Sequence, residues 1–106
     1  MMALTKEFRE TVKSRADTDA MFRAALLSEA VDLMITGEVV TGKAMLRDYI
    51  NATTGFEKLG IETGTPAKSL MRMFGPKGNP RASNLLAVVN HLQKATSVRL
   101  AVVAEH

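Results

Sequence analysis

Lys68 and Arg72 stand four residues apart in the stretch GTPAKSLMRMFGPKGNP, residues 64–80. At that spacing two cations share one face of a helix. The stretch also holds Lys77 and all three prolines of the chain. From residue 63 to residue 104 there are six basic residues (Lys68, Arg72, Lys77, Arg81, Lys94 and Arg99) and no acidic one. Residues 1–62 carry eight basic and ten acidic residues. Such a division favours a polyanionic partner for the C-terminal half.

Other chemistries find less support. GPKGNP combines glycine and lysine, as phosphate loops do, but it lacks the Walker spacing and a preceding strand. His91 and His106 have no Cys or carboxylate at ligand spacing, so no metal site is expected. Ser69 and Ser83 have no nearby His to activate them. Neither an enzyme nor a cofactor is expected. The chain has no cysteine, which excludes disulfide and Cys-ligated zinc scaffolds. The N-terminal MMALTKEFRE is charged at once, and apolar runs such as LLAVV are short. The expectation is a soluble cytoplasmic protein without secretory leader or membrane span.

Length and composition bound the scaffold. At 106 residues, with 46% hydrophobic and 5% aromatic, one helical domain with a Leu, Val, Met and Ala core is expected. Leu4–Ala16 fits a first helix, with Phe8 and Val12 four apart. Asp17, Thr18 and Asp19 are N-cap candidates for a second helix from Ala20. Its core positions are Phe22, Leu26, Leu27, Ala30, Leu33 and Met34, and Gly37 follows its end. Val39–Ala52 is a third helix, with Ala44, Met45, Tyr49 and Ile50 inward.

A short fourth helix over Gly55–Thr63 would bury Phe56, Leu59 and Ile61, and a fifth runs over Pro66–Phe74. The sixth, Ala82–Ala95, has Leu85, Leu86, Val88, Val89 and Leu92 on one face. SVRLAVVAEH alternates Val98, Leu100 and Val102 with Arg99, Ala101 and Val103, and reads as a β-strand. A strand needs a pairing partner: a second copy, another protein's sheet edge, or an earlier segment. The fold class is therefore all-α, five to six helices plus a short C-terminal strand. The chain divides into a helical portion (1–53), a module over 54–97, and a tail (98–106), packed as one unit.

The spacing around Gly64 suits two short helices crossing steeply. Gly60, four residues earlier, lets the backbones approach, and Gly64 makes the turn. Thr65 suits an N-cap and Pro66 the first helical position. With Leu70, Met73 and Phe74 inward, Ala67, Lys68, Met71 and Arg72 face outward, as a major-groove reader requires.

TGFEKLGIETGTPAKSLMRMFGPKGNPRASNLLAVVNHL, residues 54–92, resembles the Xre-type helix-turn-helix of the Cro and phage-repressor superfamily. Residues 22–103, including AMLRDYI before that module, resemble the addiction-module antidote proteins, the HigA-like antitoxins. The resemblance implies a homodimeric repressor that binds a palindromic operator in double-stranded DNA and a RelE/HigB-like toxin. It assigns Gly55 and Phe56 to the start of the positioning helix, with its N–H groups toward phosphate. It assigns Pro66, Ala67, Lys68, Met71 and Arg72 to base edges and backbone, and Lys77 and Asn79 to phosphate. Arg72 suits guanine, while Met71 and Ala67 offer apolar contact to a thymine methyl. The N-terminal helices extend the core, bind a toxin or second subunit, or both. The alternative is a protein-interaction module, or a stand-alone regulator with no toxin.

Overall fold

A computed structural model describes residues 19–106 together with Lys6, Glu7 and Glu10. The expected helix over Leu4–Ala16, with Phe8 and Val12, falls largely outside the described residues, as do Asp17 and Thr18. The described residues form an all-α structure: α1 (Ala20–Ile35), α2 (Val39–Ala52), α3 (Phe56–Thr63), α4 (Ala67–Met73) and α5 (Ala82–Thr96).

Local chemistry sets several of these boundaries. The Asp19 carboxylate accepts from the Phe22 N–H at 3.1 Å, satisfying one of the donors that a helix start leaves open. At the other end of α1, the Glu38 N–H donates to the Leu33 carbonyl and the Gly37 N–H to that of Met34. This pair of bonds closes the helix as a Schellman turn. Residues 36–38 then lead into α2, which packs along α1.

One apolar cluster joins these five helices. Leu27 and Ala30 of α1 meet Leu46, Tyr49 and Ile50 of α2; Phe56, Leu59 and Leu70 enter from α3 and α4; Val88, Val89 and Leu92 enter from α5. The Phe56 and Phe74 rings lie 6.3 Å apart and tilted by 49°, tying the start of α3 to the end of α4. Two expected core residues are not there. Ile61 is 82% exposed and Leu86 is 63% exposed. Both helices bury a narrower stripe than their apolar residues suggest. In α3 it comprises Phe56, Leu59 and Gly60, and Ile61 falls outside it. In α5 the stripe runs through Val88, Val89, Leu92 and Thr96, leaving Leu86 on the outer side.

The C-terminal strand is also corrected: no strand forms among the described residues, and 98–106 has no regular structure. The alternation is used over its first three residues only. Val98 is buried and Leu100 packs against the same cluster, while Val102 and Val103 are exposed. Gln93 takes two of the backbone donors: its carbonyl accepts from the Val98 N–H at 3.0 Å, and its side-chain Oε1 from the Leu100 N–H at 2.8 Å. At Val98 and Leu100 the backbone demand that pointed to a strand is met locally by one side chain and a helix end.

The end of α5 is fastened from two sides. The Tyr49 hydroxyl donates to Thr96 Oγ1 at 2.8 Å, and Thr96 Oγ1 donates to the Leu92 carbonyl at 2.7 Å. Arg23 Nε donates to the Thr96 carbonyl at 3.2 Å. Burial pushes the Tyr49 phenol above its ordinary value; the Thr96 bond and the Arg23 charge pull the other way and lose. A phenol that holds its proton more firmly when folded stabilises the fold fully below the unfolded pKa of about 10, and loses that contribution as pH rises through the higher folded value. Tyr49→Phe should cost about 1 kcal/mol near neutral pH in urea unfolding. Its stability should then fall less than that of wild type between pH 9 and 11. Equal losses in the two proteins would remove Tyr49 as the source.

Candidate nucleic-acid interface

The turn between α3 and α4 follows from two glycines. Gly64 sits at φ 74°, ψ 15°, in the left-handed region where a Cβ is penalised. The Thr65 N–H reaches back to the Gly60 carbonyl at 3.1 Å. Gly60 itself has no room for a side chain: a Cβ there would lie 2.7 Å from the Thr65 carbonyl oxygen and 3.2 Å from the Ala67 nitrogen. The start of α4 is thus pressed against the backbone of α3.

The entry into α4 is shifted by one residue from expectation. Pro66, at φ −55° and ψ 140°, occupies the N-cap position, and Thr65 makes no cap bond. The Pro66 carbonyl accepts from the Ser69 and Leu70 N–H groups at 2.9 and 3.1 Å. Proline fits because its fixed φ matches and it has no N–H to leave unpaired. Leu70 and Phe74 are buried and Met73 is half-buried. Lys68, Met71 and Arg72 therefore lie on the open side of α4, with Met71 47% exposed. Ala67, expected outward, is half-buried and packs against the core, because the close approach at Gly60 draws it in.

The remaining candidates separate into two places. Lys77 and Asn79 are exposed in the 75–81 segment after α4. Lys68, Arg72 and Lys77 have no ion-pair partner among the described residues. Gly55 precedes α3, at φ 82°, with its N–H bonded to the Ile50 carbonyl at 2.7 Å. The Phe56 side chain is in the core, so only the backbone at this position can meet a ligand. No side chain caps this helix start.

Residues that sequence reasoning missed sit beside Gly55. Arg23, Thr54, Lys58 and Ser97 line a cavity of about 260 Å³ between the starts of α1 and α3 and the end of α5. No acid lines it. Lys58, three residues after Gly55, was the available signal; Arg23 and Ser97 come from distant sequence. The hollow at the α3–α4 turn differs, because Glu57 lines it together with Ile61, Thr65 and Pro66. A carboxylate there opposes phosphate, so among the described residues the anion-compatible surface comprises the outer side of α4, the 75–81 segment and the exposed Lys58 near the start of α3.

A second missed residue is Lys43 of α2, whose ammonium is buried and bonded to carbonyls of the 75–81 segment. Among the described residues there is no group of three or more His, Cys, Asp or Glu that could hold a metal. No described helix is long and apolar enough to cross a membrane.

No protein-family model, curated protein or solved structure matches this chain.

The glycine geometry has a direct consequence. Gly60→Ala should destabilise by about 1–3 kcal/mol through forced separation of α3 and α4, and Gly64→Ala by about 1–2 kcal/mol through its left-handed backbone. Urea midpoints at constant m-value measure both. A neutral Gly60→Ala would mean that the approach of the two helices is not constrained there.

Proposed function

We propose that the chain is a DNA-binding transcriptional repressor whose α3–α4 unit is a helix-turn-helix of the Xre type. The observation that carries this reading is the outer side of α4. Lys68, Met71 and Arg72 are exposed together on a helix whose start is fixed by Pro66 and by the close approach at Gly60. A short, rigidly seated, cationic helix suits insertion into the major groove. Arg72 supplies the donors for a bidentate guanine contact, Met71 an apolar surface for a thymine methyl, and Lys68 a charge for the backbone. Lys77 and Asn79 on one side, and the open N–H groups of the first turn of α3 with Lys58 on the other, take phosphates. A two-fold homodimer on a palindromic operator supplies the second half-site.

The sequence resemblance extends the proposal to the antitoxin of a toxin–antitoxin module, with a RelE/HigB-like toxin as partner. The exposed apolar side chains of Ile35, Val39 and Val40, where α1 meets α2, favour a protein partner at that end. The same observation favours the second reading, an interaction module that does not depend on DNA.

Fluorescence anisotropy with labelled duplex from upstream of the chain's own gene, at two salt concentrations, separates the readings. Lys68→Ala should weaken binding to all sequences and lower the slope of log K against log salt by about one. Arg72→Ala should cost about 1–3 kcal/mol and relax discrimination at one base pair. Absence of wild-type binding, or a Lys68→Ala/Arg72→Ala protein that binds equally well, sinks the DNA reading and leaves the interaction module.

A further inference from the structure

Lys43 is 5% exposed, an unusual position for a lysine. Its ammonium donates to the Gly78 carbonyl at 2.5 Å and the Gly75 carbonyl at 3.4 Å. Both partners lie in the loop that follows α4, more than thirty residues away in sequence. The loop is held just as tightly on its other side. A Cβ on Gly78 would come within 2.7 Å of the Met73 carbonyl carbon, and closer still to the Arg72 and Met73 carbonyl oxygens. The Gly78 N–H closes the turn onto the Gly75 carbonyl at 3.0 Å. The loop is therefore seated between a buried cation and the last turn of α4.

This seating has a stereochemical consequence. No peptide bond here is cis, so the C=O of Gly78 and the N–H of Asn79 point in opposite directions across one planar unit. Drawing the Gly78 carbonyl inward to Lys43 turns the Asn79 N–H outward. Asn79 is exposed, and its N–H has no hydrogen-bond partner among the described residues. The same turn carries the exposed side chains of Asn79 and, two residues earlier, Lys77. A main-chain donor, a side-chain donor and a cation on one small turn offer donors to the oxygens of a phosphate-class anion.

We infer that Lys43 is a positioning residue: its buried ammonium presets the 75–79 turn so that the Asn79 N–H and Lys77 grip one backbone phosphate, which Lys43 itself does not touch. This inference rests on the DNA reading above and adds to it a residue outside the α3–α4 unit. It also makes the seating of α2 against the loop a condition of phosphate contact.

The test compares wild type, Lys43→Met, Lys77→Ala and the double variant. The probes are the duplex from upstream of the chain's own gene and a mixed-sequence duplex of equal length. Binding is measured across a salt series at a temperature where circular dichroism shows each protein folded. Lys43→Met leaves every surface cation in place. It should nevertheless weaken binding to both duplexes about tenfold and lower the salt slope by about one, as Lys77→Ala does. The double variant should lose little more than Lys77→Ala alone, because one contact is being removed twice.

A folded Lys43→Met protein with wild-type affinity and slope overturns the inference while leaving the DNA reading intact. So does a double variant whose losses simply add. Wild type that binds neither duplex defeats the DNA reading instead, and the site with it. Should Lys43→Met not fold, amide hydrogen exchange on wild type decides. The Asn79 N–H should exchange freely in the unbound protein and be protected at least tenfold by duplex. Protection before duplex is added, or none after, overturns the assignment.

Discussion

Between Gly60 and the start of α4 there is no space for a single methyl group, and the arrangement of the C-terminal half follows from that contact. With the Thr65 carbonyl and the Ala67 amide lying on α3, α4 cannot slide or tilt without opening a gap. Its rotation about its own axis is then set by Leu70 and Phe74, which are fully buried, and by the Phe56 ring against that of Phe74. Once those are inside, the outward disposition of Lys68, Met71 and Arg72 is a geometric consequence. The same contact draws Ala67 inward and separates the cationic side of α4 from the hollow that holds Glu57.

Much of the helical framework was legible because helix ends are written in local chemistry. Asp19 caps α1, Gly37 closes it, and Gly64 breaks α3, all through bonds spanning five residues or fewer. The bounds of α2 follow directly from its apolar spacing. What sequence did not yield depends on partners distant in the chain. A lysine between Gly42 and Ala44 reads as solvated, and only the folded loop supplies the carbonyls that bury it. Arg23 reaches Thr96 across seventy-three residues.

The two misplaced apolar residues have a simpler cause. α3 is eight residues long, about two turns, too few for periodicity to say whether Ile61 falls inside or outside the buried stripe. Leu85 and Leu86 are neighbours, and only one fits the narrow side that α5 turns to the core. At the tail the alternation holds only for Val98 and Leu100, because Val102 is exposed like Val103, and no strand forms. Gln93 satisfies donors that would otherwise have required a second strand, and no spacing rule anticipates a side chain substituting for a ladder.

Tyr49 is the only tyrosine, and the chain has no tryptophan. Its ring is sealed between α2 and the end of α5, with the hydroxyl on Thr96. The near-ultraviolet absorption and emission of the folded protein therefore come almost entirely from one buried phenol at the junction of α1 and α2 with α5. The molecule carries its own optical gauge of whether α5 is docked. That gauge lies away from the outer side of α4, so a ligand bound there leaves it silent unless the helices themselves shift.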